Sequence, residues 1–314
     1  MPLDRRAERL LAMLAAGASG GPSPSPDGRR QTLIDLARVA DDPTAPALAN
    51  EATATGPGGP LPLRIYSPQG AGAARLPGLV FFHGGGWTAG GFETHEGLCG
   101  RICAASGFRI VAVDYRLAPE HPFPAALDDG LAALAAVARQ AERFGIDPGR
   151  LGVGGDSAGG ALAASVARLA LKARGPAVAL QVLICPILDP GASAGSRKAF
   201  GEGYFVDKAA FDRDLADYLP AGADLADFRL SPLRAASFAG LPPAIVHTAE
   251  FDPFRDEGES YVRALAEAGV PVRAERHAGM IHYFYALAAA IPHAREAALA
   301  IGAQMRSMVG PPAQ

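Results

Sequence analysis

From about residue 61 onward, apolar positions along this chain switch between two periods. Leu61, Leu63 and Ile65 recur at every second position, as in a half-buried strand. Short, mainly apolar runs follow at Leu79-Val80-Phe81-Phe82, Phe108 to Val113, Leu151 to Val153, Leu180 to Cys185 and Ala244 to Ala249, and a last strand is expected at Val272 to Arg276. Between them the spacing turns helical: around Leu98 to Ala105; at Leu127, Leu131, Leu134 and Val137; at Ala161, Leu162, Ser165, Val166 and Leu169; and at Tyr261, Leu265 and Ala268, with a last helix after His282. Strands that alternate with helices predict an α/β fold with a mainly parallel sheet covered on both faces.

Two stretches interrupt the alternation. Residues 1–50 read as a helix with Ala7, Leu10, Leu11 and Leu14 on one face and Asp4 as its cap, a loop from Gly17 to Gly28, and a second helix from about Gln31 to Val39. Residues 190–235 hold only a helix around Ala209 to Tyr218. Both are expected to form a lid, which divides the chain into a cap segment 1–50, a core segment 51–189, a cap insert 190–235 and a second core segment 236–314. Arg5, Arg6 and Arg9 ahead of an apolar run imitate a signal peptide, but the one-sided apolar face favours an amphipathic helix.

Composition narrows the function. At 314 residues with 49% hydrophobic and 19% charged residues the chain can build a large core, and a formal charge of -3 argues against nucleic acid as a partner. No run approaches the roughly 20 apolar residues of a membrane span, so stable membrane insertion is not expected. Cys99, Cys103 and Cys185 have no zinc-site or disulfide spacing, which points to a reducing, cytoplasmic setting without a metal or cofactor.

The chemistry gathers where apolar runs break. Gly155-Asp156-Ser157-Ala158-Gly159 is a G-x-S-x-G motif between a strand end and a helical pattern, so Ser157 is expected on a sharp strand-to-helix turn that needs small neighbours. With 38 glycines in the chain, an ordinary glycine-rich turn is the competing reading. His83-Gly84-Gly85-Gly86-Trp87 ends another strand, and bare backbone N–H groups there could approach a carbonyl oxygen. A serine needs an imidazole to take its proton, and the imidazole needs a carboxylate to hold its tautomer. Asp252 and His282 lie on loops after later strands and are preferred for these roles. Asp256 and Glu257 are expected to serve a helix N-terminus, His277 falls at a strand end, Asp189 precedes the insert, and His83 is expected to fix its loop.

Together with Asp114-Tyr115-Arg116-Leu117-Ala118-Pro119-Glu120, Asp252 to Gly258 and Gly279-Met280-Ile281-His282, these motifs make the chain resemble the hormone-sensitive-lipase-like, bacterial family IV esterases of the α/β-hydrolase superfamily, related to arylacetamide deacetylases. The resemblance runs from about Pro60 to the C-terminus. It implies an α/β-hydrolase fold with a helical cap, Ser157 as nucleophile, His282 as base, Asp252 as its partner, and an oxyanion hole from Gly85, Gly86 and Ala158. It also implies a small-molecule ester as partner and short- to medium-chain acyl esters as substrates, and it is compatible with a homodimer. One departure is Tyr283, where many relatives carry glycine. An amidase or deacetylase on N-acyl groups would use the same residues. A non-catalytic receptor on this scaffold, as in plant gibberellin receptors, would lack the catalytic histidine.

Overall fold

The computed structural model describes residues 1–17, 25–42, 47–72, 74–193 and 195–310; most of the loop expected over Gly17 to Gly28, and Ala194, lie outside them. Helix α1 (Arg5–Gly17) starts where Asp4 Oδ1 accepts from the amides of Arg6 at 2.8 Å and Ala7 at 3.2 Å. Ala7 and Leu10 are buried, and the Asp4 amide donates to the Gly279 carbonyl at 3.0 Å, so this helix is docked on the main domain. Helix α2 (Pro26–Ala40) has Ser25 as its N-cap and proline in its first turn, where a missing N–H costs nothing.

A hairpin follows, β1 (Ala47–Gly56) and β2 (Gly59–Pro68), paired antiparallel over ten residues. Then come β3 (Leu76–Phe82), α3 (Phe92–Ser106), β4 (Arg109–Val113), α4 (Ala125–Arg139), β5 (Ile146–Asp156), α5 (Ala158–Lys172) and β6 (Gln181–Ile184). The stretch between β6 and the next strand holds α6 (Ser196–Ala199) and α7 (Lys208–Tyr218). The chain closes with β7 (Ala244–Phe251), α8 (Arg255–Glu267), β8 (Val272–Ile281) and α9 (His293–Val309).

The eight strands form one sheet in the order β1-β2-β4-β3-β5-β6-β7-β8. The pairs β1/β2 and β2/β4 are antiparallel and the other five are parallel, as the alternation of strands and helices predicts. Successive side chains of a strand point to opposite faces, and β3 shows the consequence. Leu79 and Phe81 pack with Leu98 and Ile102 of α3 and Ile301 of α9, whereas Val80 and Phe82 pack with Leu134 of α4 and Val166 of α5. Each such side chain, fully buried, contributes about 1.5–3 kcal/mol.

Two expectations need correction. Strand β1 begins at Ala47, inside the stretch read as cap; apart from the exposed Leu48 its side chains are small or polar, and most are exposed, so this edge strand has no apolar alternation to detect. Strand β8 runs on to Ile281 rather than ending near Arg276, which places His277 within the strand and His282 immediately after it.

Candidate active site

The carboxyl ends of parallel strands in an open α/β sheet form a crevice. In this crevice β3, β5, β7 and β8 each contribute one loop.

Ser157 sits alone between β5 and α5 at φ 52° and ψ -119°, a left-handed conformation that side chains rarely adopt. Its neighbours explain how the turn survives. A Cβ on Gly159 would overlap the Phe82 carbonyl oxygen, and one on Gly155 would lie 2.5 Å from the same atom, so the turn presses directly on the end of β3. The Ser157 amide donates to the Ile184 carbonyl at 2.9 Å, which fixes the turn from the other side. The ordinary-turn reading does not account for a serine held this way.

Asp252 and His282 arrive from the ends of β7 and β8. His282 Nδ1 lies 2.8 Å from Asp252 Oδ2, and His282 Nε2 lies 2.9 Å from Ser157 Oγ. A carboxylate only accepts, so Nδ1 carries the proton and Nε2 is free to accept from the serine hydroxyl. Asp252 Oδ1 accepts from the Phe254 amide at 2.7 Å, and the Phe254 ring meets the imidazole edge-on at 5.1 Å. All three polar side chains are buried. Cys185 Sγ is within 4.8 Å of the Asp252 and His282 ligand atoms, the one such cluster among the described residues. Burial pushes its thiol well above the ordinary range, so it is a protonated neighbour, and both imidazole nitrogens already have protein partners.

Gly85 and Gly86 line the same cavity as Ser157 and His282, at φ 115° and 63°. Ala158 opens α5, where the first N–H groups have no partner within the helix. Asp156 ties these pieces together: it is fully buried, accepts from the Gly84 amide at 2.9 Å, and lies 3.2 Å from His95 Nε2 and 3.3 Å from the Tyr285 hydroxyl. Sequence reasoning passed over Asp156, His95 and Tyr285. The available signal was a carboxylate among glycines at a strand end, which must be paired if buried.

The competing residues go elsewhere. His83 Nδ1 donates to the Gly84 carbonyl at 2.8 Å, its ring stacks on Tyr115 at 4.2 Å, and burial followed by the nearby His95 lowers its pKa to about 3. His277 bonds to His247 and His293. Asp189 accepts from Arg234. Asp256 and Glu257 do more than serve a helix N-terminus: Asp256 accepts from the Ser196 amide, and Glu257 from Leu188, Asp189 and Arg197, which anchors the start of the 190–235 stretch.

The cavity over Ser157 has a volume of about 380 Å³. Its floor is the strand-end loops. The cavity is also lined by Leu14 of α1, Leu33 and Leu36 of α2, and Phe205, Phe211 and Asp214 of the stretch before and within α7. Tyr283 stands in the wall at φ 66°, a left-handed position that suits glycine, with its ring stacked on Phe205 and its hydroxyl donating to the Thr94 carbonyl. A second cavity of about 700 Å³ lies beyond Val206, Phe211 and Phe254, which line both.

Sequence comparison places this arrangement among known proteins. The profile of the α/β hydrolase fold matches residues 79–286. Carboxylic ester hydrolase LipN of Mycobacterium tuberculosis is 47% identical over 235 residues, 73% of this chain and 62% of that protein, so the match spans less than two thirds of the relative. Ethyl acetate hydrolase of Pseudomonas putida is 34% identical over 94% of this chain and 96% of its own. Among solved structures, an ester hydrolase from the Lake Arreo metagenome, complexed with a bipyridine phosphonate derivative, superposes with a TM-score of 0.94 at 40% identity, over 98% of this chain and all of that one.

Proposed function

We propose, from the premise that this chain belongs to the α/β-hydrolase fold family and within it to the hormone-sensitive-lipase-like esterases, that it hydrolyses carboxylic esters through an acyl-enzyme on Ser157. The observation that carries the reading is the unbroken chain from Asp252 through His282 to Ser157 Oγ, with contacts of 2.8 and 2.9 Å. Ser157 Oγ attacks the ester carbonyl while His282 Nε2 takes its proton. The carbonyl oxygen becomes an oxyanion, which the N–H groups of Gly85, Gly86 and Ala158 receive. His282 then gives the proton to the leaving alkoxide, and a water repeats the sequence to release the acid.

The helices α1 and α2 and residues 190–235 act as the cap that roofs the cavity, which is supported by the side chains that both stretches contribute to its lining. The substrate is a small-molecule ester of short to medium acyl length. Among the described residues no helix is long and apolar enough to cross a membrane. The three cysteines are free and buried, which supports a reducing, cytoplasmic setting. Association as a homodimer is the arrangement we test by sedimentation, where a monomer at micromolar concentration rejects it.

Ser157→Ala should lower turnover of an activated butyryl ester by about four to six orders of magnitude and abolish labelling by a fluorophosphonate. Retained labelling would overturn the assignment.

A further inference from the structure

Thr88 has no assigned role, yet three of its polar groups lead to three different parts of the molecule. Its amide donates to the Gly85 carbonyl at 3.1 Å, its carbonyl accepts from Arg30 Nε of α2 at 2.9 Å, and its hydroxyl donates to Asp214 Oδ1 of α7 at 3.0 Å. The side chain is 1% exposed.

The Gly85 bond matters because a peptide unit is planar and trans. The carbonyl of Gly85 and the N–H of Gly86 belong to one peptide unit and point in opposite directions. The Ala89 amide also holds that carbonyl, at 2.9 Å. With its oxygen fixed inside the turn, the Gly86 N–H is directed away from the turn.

The other two bonds lead to the roof. Arg30 also donates to the Ala118 carbonyl at 3.0 Å and to Glu120 at 2.6 Å, so it fastens α2 to the core. Asp214 pairs with Arg29 of α2 at 3.2 Å, and Arg29 also reaches Asp217. A Cβ on Gly86 would lie 2.7 Å from Asp214 Oδ2, which shows how closely α7 covers the glycine loop.

We infer that Thr88 is a positioning residue through which both roof segments, by way of Arg30 and Asp214, hold the Gly86 N–H in line for the oxyanion. This rests on the proposed role of Gly86. The roof then does more than enclose substrate: docking of α2 and α7 sets the geometry of a backbone donor on the glycine loop. Opening the roof would free Thr88 and let the Gly85–Gly86 peptide rotate.

The test compares Thr88→Val, Thr88→Ser, Asp214→Ala and the double variant Thr88→Val/Asp214→Ala, with turnover counted per site titrated by fluorophosphonate. Losing a whole oxyanion donor costs about 100- to 1,000-fold, so misdirecting one through Thr88→Val should cost about 10- to 30-fold in kcat, with KM within about threefold. Thr88→Ser keeps the hydroxyl and should stay within about threefold of the parent. The double variant should be no worse than Thr88→Val by more than about threefold, because coupled residues are non-additive. If Thr88→Val fails to fold, Arg30→Met removes the other tether at a partly exposed side chain and should show the same drop in kcat with KM held. Turnover within twofold of the parent for Thr88→Val or, failing that, Arg30→Met, or multiplicative losses in the double variant, would overturn the inference. Ser157→Ala with retained labelling would instead overturn the reading beneath it.

Discussion

At the floor of the cavity, Gly155 and Gly159 approach the Phe82 carbonyl so closely that neither position has room for a methyl group. The roof is held differently. Arg29, Arg30, Asp214, Asp217 and Glu120 join it to the core and to itself, mostly through half-buried or exposed ion pairs, with Leu14, Leu33, Phe205 and Phe211 between them. The most exposed of these pairs, Arg30–Glu120, contributes about 0–1 kcal/mol, whereas a methyl group forced into close-packed backbone costs more. The floor is therefore rigid by exclusion and tolerates almost no substitution. The roof is a sum of small terms, so single substitutions there should cost less than at the floor.

The largest expected effect comes from breaking the floor. Gly159→Ala sets a Cβ against the Phe82 carbonyl oxygen and the His83 carbonyl, both backbone atoms that cannot swing away. Overpacking of this kind costs about 1–3 kcal/mol or more in stability, and it displaces the serine turn from His282. Urea unfolding should show the loss, and ester turnover should fall below detection. A variant with normal stability and turnover would mean that β3 does not press on the turn.

Gly85→Val comes next. A Cβ there meets the Ala89 carbonyl, and φ 115° is unsuited to any side chain. The loop must shift and take its N–H with it. Turnover should fall by about two to three orders of magnitude, as for one lost donor, with a circular dichroism spectrum like the parent's. Near-normal turnover would show that these glycines serve only the turn.

The same contrast explains what was legible in the sequence. Floor residues announce themselves because their constraint is local: a glycine two positions from Ser157, three glycines after a strand, Asp252 and His282 at the ends of apolar runs. The central strands were equally plain, since Leu79 to Phe82 or Val182 to Ile184 are apolar throughout. Roof contacts join residues far apart in the chain, Arg30 with Thr88 or Thr88 with Asp214, and no periodicity carries them. Arg29 and Arg30 look like any solvated helix face. Asp156 was visible as part of the serine motif, but its partners His95 and Tyr285 come from other elements. Strand β1 stayed hidden because an exposed edge strand of small residues needs only a backbone partner, and β2 supplies it.

A smaller effect separates the roof by pH. Burial pushes the Asp214 carboxyl up to about 6, against the pull of Thr88 and Arg29. In the unfolded chain the same group releases its proton near pH 4. The folded protein therefore holds the proton longer, so stability from this group is full below about pH 4 and is lost as pH rises through about 6. Asp214→Asn has no proton to lose. Between pH 5 and 7.5 the stability of Asp214→Asn relative to the parent should rise by about 1 kcal/mol, read from urea midpoints across that range. A difference that stays flat with pH would mean that Arg29 keeps Asp214 ionised throughout.

The finest probe is substrate length, because each step is a single methylene. A cavity of about 380 Å³ leaves room for a short or medium acyl chain above Ser157. While the chain still fits, each added methylene should gain about 0.8 kcal/mol of binding, about fourfold. Where the chain meets Phe211 and Val206, which line the wall shared with the second cavity, the trend should reverse. Nitrophenyl esters should accordingly peak between acetyl and octanoyl, with no preference for long-chain triglyceride emulsions; a peak at palmitate would refute a roofed site. Phe211→Ala sharpens the point by removing part of the wall shared with the cavity of about 700 Å³ beyond it. That variant should move the optimum to longer chains and leave acetyl turnover within a few fold, since Phe211 packs on Phe254, and it is Phe254 whose ring meets His282. Tyr283→Gly, by contrast, removes a wall residue at a position whose φ of 66° suits glycine, so it should widen the same optimum without cost to the backbone. If Tyr283→Gly shifts the optimum and Phe211→Ala does not, the acyl chain runs along the Tyr283 wall, and the second cavity is outside the substrate's reach.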